Sequence, residues 1–453
     1  VCAAERAAVC DLADPPVFRV ALIRTAPDQH RLVLTNHHIV LDGWSLPILL
    51  QEIFAAYHGQ RLPAAAPYRR FVTWLADRDL DAARAAWGEV LAGFDTPTLV
   101  GPPDRLGLGR RGVASFRVCE DTTRALGELA RSCHSTVSTV LQAAWAVLLG
   151  SLTGRHDVAF GAVVSGRPAD LVGVESMVGL LINTVPVRAN IAAATTTADL
   201  LDQLQNAHNH TLEHQHLALT EMHRITGQER LFDTVFVYEN YPTDTAALSS
   251  VEGLVVTEFS GRDHYHYPLA VQAGPGRELD LRVQFRADVF DVADIEAMME
   301  RFTRVLVAMT ADPTQPLSSV DLLDAGEHAR LDGWGTRALL TQPASTPVSI
   351  PEYHGNGGGY RAPATVVEEI LAGIFAEVLG VDRVGVDESF FALGGDSLSA
   401  MRVIAAINTA LDIHLGVPAL FDAPSVRSLS QQLGEHVGRV EDLRAVSPAS
   451  DSS

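Results

Sequence analysis

Asn36-His37-His38-Ile39-Val40-Leu41-Asp42-Gly43-Trp44-Ser45 is the stretch on which the reading of this chain turns. It follows an apolar, β-branched run, Arg31-Leu32-Val33-Leu34-Thr35, so a strand delivers two imidazoles into a turn that ends at glycine. The amphipathic text from Ser45 to Phe54 reads as a helix with Ser45 as its cap. A neutral imidazole accepts a proton near pH 7, so a histidine at a strand end in a cleft suits general-base chemistry. For the pair by itself, a packed or metal-binding histidine is the competing reading.

The chain has 453 residues, more than one ordinary core accommodates, and its length suggests about three domains. With 47% hydrophobic and 20% charged residues it reads as folded rather than disordered. A net charge of −21 argues against nucleic acid and anionic membrane as partners. All 34 basic residues are Arg, which excludes Schiff-base chemistry on a protein lysine. Cys2, Cys10, Cys119 and Cys133 lack any metal or redox spacing and read as reduced thiols of a cytoplasmic protein. No signal peptide and no stretch of about eighteen apolar residues occurs. The text opens inside a structural unit, since Val17 to Ile23 is already a strand.

To about Gly101 the pattern predicts two strands, the His-His turn and three helices, the last over Asp81 to Leu91. A crossover loop spans Gly101 to Gly112. A strand over Val113 to Val118, a helix over Ser135 to Leu149 and a buried-type strand over Asp157 to Val164 follow. Strands around Val235, Val255 and Leu281 and a helix over Asp294 to Met309 complete a second α/β unit. Between about Asp324 and Ala362 the composition shifts to Gly, Pro, Ser and Thr, and Gly355-Asn356-Gly357-Gly358-Gly359 has linker chemistry. Helices over Val366 to Leu379, Ser397 to Leu411 and Ser425 to Leu433 form a compact helical unit before a polar tail.

In that unit, Phe390-Phe391-Ala392-Leu393-Gly394-Gly395-Asp396-Ser397-Leu398 sets a serine at a helix start behind a Gly-Gly turn. An ordinary N-cap is one reading of Ser397. The bare backbone and the apolar anchors Phe390, Phe391 and Leu393 also suit outward presentation at a helix N-terminus, where phosphate is favoured.

The string H-H-x-x-x-D-G-W-S resembles the active-site signature of the condensation domains of non-ribosomal peptide synthetases, relatives of chloramphenicol acetyltransferase. Further family-like text runs through residues 15–325: Tyr68-Arg69-Arg70-Phe71-Val72-Thr73-Trp74, with Arg70 where Asp is usual, and Gly179-Leu180-Leu181-Ile182-Asn183-Thr184, with Leu181 replacing Phe. Leu231 to Pro242 and His266-Tyr267-Pro268-Leu269 are also similar. The Ser397 string resembles the attachment site of peptidyl carrier proteins, and Tyr360-Arg361-Ala362-Pro363 and Leu420-Phe421-Asp422-Ala423-Pro424-Ser425 agree.

The resemblance implies a two-lobed, chloramphenicol-acetyltransferase-like α/β condensation fold followed by a small all-α, four-helix carrier bundle. Its divisions would be residues 1–105 (partial N-terminal lobe), 106–325 (C-terminal lobe), 326–361 (linker), 362–438 (carrier) and 439–453 (disordered tail). It implies that Ser397, beside Asp396, bears phosphopantetheine, and that His38 takes a proton from, or orients, an acceptor amine attacking a donor thioester. His37 would be structural, Asp42 would hold the turn through Arg167, and Gly43 would admit the pantetheine arm and offer its N–H to an oxyanion. Trp44, Ser165, Arg167 and Asn183 would line the substrate channel, and no metal is expected. The implied partners are an upstream donor carrier, a separate adenylation enzyme loading the carrier in trans, and a phosphopantetheinyl transferase.

Two other motifs read as decoys. His210-Thr211-Leu212-Glu213-His214 fits H-x-x-E-H of zinc peptidases, but no further carboxylate ligand stands at helical spacing. Gly107-Leu108-Gly109-Arg110-Arg111-Gly112 fits G-x-G-x-x-G but precedes a strand, the wrong order for a dinucleotide site. The variant signature, with Glu213-His214-Gln215-His216-Leu217, is nearer to domains taking an L-configured donor. Two departures stand out: about a hundred further residues precede the histidines in complete domains, and the adenylation unit between Thr346–Tyr353 and Tyr360–Pro363 is missing. A non-catalytic docking platform and an acyltransferase using a free amine or a coenzyme A thioester are therefore the competing functions.

Overall fold

The computed structural model describes residues 4–5, 8, 12, 17–101, 110–240, 254–261, 263, 265–323, 327, 361–381, 383–390, 393, 397–411, 413, 415, 419–420 and 423–433. The strand that leads into the histidines is the second arm of a hairpin. β1 (Phe18–Ala26) and β2 (Gln29–Asn36) pair antiparallel, with Phe18 opposite Asn36 and Leu22 opposite Leu32. Three helices follow, α1 (Ser45–Tyr57), α2 (Arg69–Ala76) and α3 (Leu80–Val90). Asp79 caps α3, accepting the N–H groups of Asp81 and Ala82 at 3.0 and 2.9 Å.

The scaffold is a six-stranded sheet. It contains β3 (Arg111–Val118), β4 (Asp157–Val164), β5 (Asn183–Asn190), β6 (Thr234–Tyr238), β7 (Leu269–Gly274) and β8 (Leu279–Arg286), in the order β3-β8-β7-β6-β4-β5. β6 runs parallel to both β4 and β7, and the other neighbours are antiparallel. The helices are α4 (Glu120–Ser132), α5 (Val137–Thr153), α6 (Thr197–Thr211), α7 (Leu219–Thr226) and α8 (Val292–Ala311).

Alternation along the strands sorts two cores. Val158, Phe160, Phe236, Val271 and Val283 join the main core with α4, α5, α6 and α8. Ala159, Val235, Val237 and Ala270 face the other way, onto Trp87 of α3 and Met222 of α7. α5 is the buried spine, which explains why it is apolar all round: ten of its residues are buried. Thr136 caps it through the Thr139 N–H, and Gly154, at φ 67°, ends it in the left-handed region.

The C-terminal region is helical, with α9 (Val366–Leu379), α10 (Ser397–Leu411) and a further helical stretch at 426–433. Leu371, Phe375, Phe390, Val403, Ile407 and Leu429 share one buried cluster, which Leu212 joins from the turn after α6, and Phe375 and Phe390 lie edge to face at 5.3 Å. No single helix among the described residues is long and apolar enough to cross a membrane.

One expected strand is misplaced. Val255 is 69% exposed and outside any strand, and the slot between β6 and β8 is filled by β7 instead. A β-branched pair does not make a strand without burial, and β7 places Val271 and Ala270 on opposite, equally dry faces. Residues 107–109 of the Gly-rich text, nearly all of the linker at 326–361 and the tail at 439–453 lie outside the described residues.

Trp145 in α5 tests the spine. It is fully buried, edge-on to Phe302 at 5.9 Å, and its Nε1–H has no acceptor among the described residues. Trp145→Ala should lower unfolding stability by about 3–5 kcal/mol. Trp145→Phe should cost clearly less, because it also removes an unpaired buried donor. Urea denaturation of the three proteins checks both expectations.

Candidate active site

β2 ends at Asn36, and the chain turns into one 3₁₀ turn, His38–Val40. His37 caps it: its Nδ1 accepts the Ile39 N–H at 3.1 Å, and its own N–H donates to Val17 O at 2.9 Å. A neutral His37 therefore carries its proton on Nε2. His38, one residue on, is exposed. The two imidazoles thus differ, one tied to the turn and the other presented to solvent.

The turn is anchored by Asp42, which is 2% exposed. Its Oδ1 accepts the Ser45 N–H at 2.8 Å, the Ser45 hydroxyl at 2.6 Å and Arg167 Nη2 at 3.2 Å. Its Oδ2 accepts the Leu181 N–H at 3.0 Å, and its own N–H donates to Gly179 O at 3.1 Å. The cap at the start of α1 is therefore Asp42 rather than the expected Ser45. Trp44 already has helical angles, φ −70° and ψ −34°, and the Ser45 hydroxyl is drawn into the buried cluster.

Arg167 comes from the segment that leaves β4. Its Nη1 donates to Val174 O and Met177 O, at 2.5 and 2.9 Å, and its Nη2 also reaches Ser45 Oγ at 3.1 Å. Burial pulls its guanidinium below the usual value, and the adjacent Asp42 carboxylate works against that pull. Trp44 lies with its ring centre 5.7 Å from the guanidinium carbon.

Two glycines make this approach possible. Gly166 has φ +59°, and a Cβ there would lie 1.6 Å from Leu181 O. At Gly179 a Cβ would meet the Tyr68 ring at 2.3 Å. Tyr68 also donates its hydroxyl to Leu180 O at 2.6 Å, and burial, then the Asp42 charge, push its phenol upward.

The other expected residues are placed as follows. Gly43 and Trp44 are half-buried in the turn between Asp42 and α1, and Ser165 is half-buried just after β4. Asn183 opens β5 and gives both amide hydrogens to backbone, to Gln215 O at 2.7 Å and Leu217 O at 2.8 Å. It has no free donor for a substrate and acts on the loop. Asp396 lies outside the described residues, and Ser397 is the first residue of α10. Sequence reading missed Ser45 as a buried bridge and gave no role to Gly166, or to Tyr68 and Gly179, which it met only as family-like text. The glycine between Ser165 and Arg167 was the available signal for a tight exit.

The H-x-x-E-H text spans the end of a helix and the turn after it. His210 pairs with Glu89 at 3.0 Å, α6 ends at Thr211, and no three metal-ligating side chains converge among the described residues. His208 keeps part of its surface, but its Nε2 is covered, and burial pulls the ring from 6.5 down to about 4.

Two outcomes follow from these environments. Arg167→Met strands Asp42 in a dry site, and denaturant unfolding should show a loss of about 3 kcal/mol or more. For His208 the unfolded chain binds its proton near pH 6.5, whereas the folded chain does so only near pH 4. Its contribution is complete above about pH 6.5 and is lost as pH falls towards 4, with about 2 kcal/mol gone by pH 5. Urea midpoints at pH 7 and 5 should converge in His208→Gln relative to wild type.

Residues 3–331 match the family model described as a condensation domain, and residues 369–433 match that of the phosphopantetheine attachment site. A chondramide synthase of Chondromyces crocatus is 35% identical over 343 residues, covering 73% of this chain and 9% of that protein. Surfactin synthase subunit 3 of Bacillus subtilis is 34% identical over 329 residues, with coverages of 70% and 26%. The chain thus spans a small part of the length of these relatives. Among solved structures, the X-domain from teicoplanin biosynthesis superposes with a TM-score of 0.61 at 21% identity, covering 70% of this chain and 77% of that one. The first condensation domain of the calcium-dependent antibiotic synthetase gives 0.57 at 22%, with coverages of 70% and 75%, and both likenesses concern the fold. With a condensation domain in front and a phosphopantetheine-bearing carrier domain behind, this chain belongs to the condensation-domain family in the arrangement used by non-ribosomal peptide synthetases.

Proposed function

We propose that the chain forms an amide between an acyl group held as a thioester on an upstream carrier and an amine tethered at Ser397. The observation that carries this reading is His38, exposed on a turn fixed by Asp42, Arg167 and Ser45, in one chain with a phosphopantetheine-attachment domain. The acceptor nitrogen bonds to the thioester carbonyl carbon, the C–S bond breaks, and the donor thiol leaves with the proton the amine sheds. His38 holds or receives that proton. An amine is already a fair nucleophile when neutral, so orientation contributes alongside base catalysis. The Gly43 N–H is the candidate donor to the developing oxyanion. Asp42, Arg167 and His37 hold the turn and take no part in the bond changes.

Ser397 fits attachment of the arm. It opens a fifteen-residue helix, whose unsatisfied N–H groups favour a phosphodiester at that end. The group supplies a thiol that carries the acyl chain. The carrier is read as a four-helix bundle, with Asp396 beside the attachment residue for the transferase to recognise. A separate adenylation enzyme would load it, in the cytoplasm, and the relatives' names suggest a secondary-metabolite peptide as product.

Intact-mass measurement after treatment with a phosphopantetheinyl transferase should show one added arm in wild type and none in Ser397→Ala. With a loaded donor carrier and a loaded Ser397, His38→Ala should slow amide formation by at least about a hundredfold. Equal product from both proteins would mean that His38 is not the catalytic residue, and no product from either would favour a docking platform.

A further inference from the structure

Four of the buried contacts at the site meet at one hydroxyl. Ser45, which is fully buried, has two acceptors for its proton, Asp42 Oδ1 at 2.6 Å and Gly179 O at 3.0 Å, and it accepts from the Gly179 N–H and Arg167 Nη2, each at 3.1 Å. A hydroxyl offers one proton and two lone pairs, so its capacity is used in full. The partners come from three separate segments: the His turn, the exit of β4 and the approach to β5.

Asp42 shares two of these links, since it also reaches Arg167 and, through Leu181, the last segment. Among the described residues the Gly179 N–H is held by Ser45 alone. On the carbonyl side of the same residue, Gly179 O takes the Asp42 N–H. Behind it stands the Tyr68 ring, with the phenol hydroxyl on Leu180 O. The 179–181 segment is therefore clamped between Tyr68 on one side and the His turn on the other, and Ser45 is the jaw on the turn side.

We propose that Ser45 is a positioning residue for amide formation: its hydroxyl fixes the height of the His turn over residues 179–181, and so the point from which His38 reaches the acceptor amine. The inference rests on the amide-forming reading of the site. Without the hydroxyl the Gly179 N–H has no acceptor in a dry place, and the segment must move to find one. Asp42 keeps Arg167, the Ser45 N–H and the Leu181 N–H, so the turn still forms. What changes is its register against the segment, and an ångström of misplacement at a reacting centre costs about a hundredfold in rate. His38 acts on the reacting nitrogen only, so the loss falls on kcat and not on the KM for the donor carrier.

The test compares wild type, Ser45→Ala and Ser45→Thr at a temperature at which all three are folded, with loaded donor carrier and loaded Ser397. Ser45→Ala should lower kcat by at least about tenfold and leave KM within about twofold, and Ser45→Thr, which keeps the hydroxyl, should recover most of the rate. Hydrogen exchange of the 179–181 amides should quicken by at least about tenfold in Ser45→Ala and stay at the wild-type rate in His38→Ala. Wild-type kcat in Ser45→Ala, or an alanine-like rate in a folded Ser45→Thr, would overturn the proposal. A wild type that makes no amide overturns the functional reading instead, and unaltered exchange in Ser45→Ala then disproves the link between Ser45 and the segment.

Discussion

The Asp42 carboxylate is the constraint on which the site depends. It is cut off from water, and its two oxygens accept a guanidinium, a hydroxyl and two backbone N–H groups. A charge so placed is tolerable only while those donors remain, because desolvation costs several kcal/mol per ion. The donors come from α1, from the exit of β4 and from the approach to β5, so the carboxylate demands that these segments meet. The exposed His38 inherits its position from a buried neighbour four residues on.

The sheet provides the ends that meet there. β4 and β6 run parallel, and β4 delivers Arg167 from its C-terminal end. The antiparallel β5 starts beside that end, opposite Val164, so the Gly179–Leu181 approach lies within reach. Asn183 then ties the start of β5 to the 215–217 turn, so α6 and α7 are referenced to the same point. Gly166 and Gly179 permit the approach sterically, one by its positive φ and the other by leaving room for the Tyr68 ring.

Much of this was legible in the amino-acid order. The His turn and the helix after it are local, and most helices and strands announced themselves by periodicity, as with α5, expected over Ser135 to Leu149 and found over Val137–Thr153. The Asp42 and Arg167 pairing came from family resemblance, and the structure joins the two at 3.2 Å. What stayed hidden is non-local. The Ser45 hydroxyl looks like any helix cap until Gly179, 134 residues away, takes it up. β7 was missed for a related reason: His266-Tyr267-Pro268-Leu269 drew attention as a motif, while Val255 offered β-branched residues with nothing to bury them.

The strand order also dictates a folding sequence. β3 is made early in the chain but pairs, among the described strands, only with β8, Arg111 lying opposite Arg286, so an edge of the sheet waits until nearly all of the domain has been synthesised. Pairings of such separation carry a large loop-closure cost and fold slowly. Before that closure β4 and β5 can already pair, since only the stretch from 165 to 182 divides them. The nascent chain can therefore bring the β4 and β5 walls of the candidate site together well before the sheet they belong to is finished, and well before the C-terminal helices have left the ribosome.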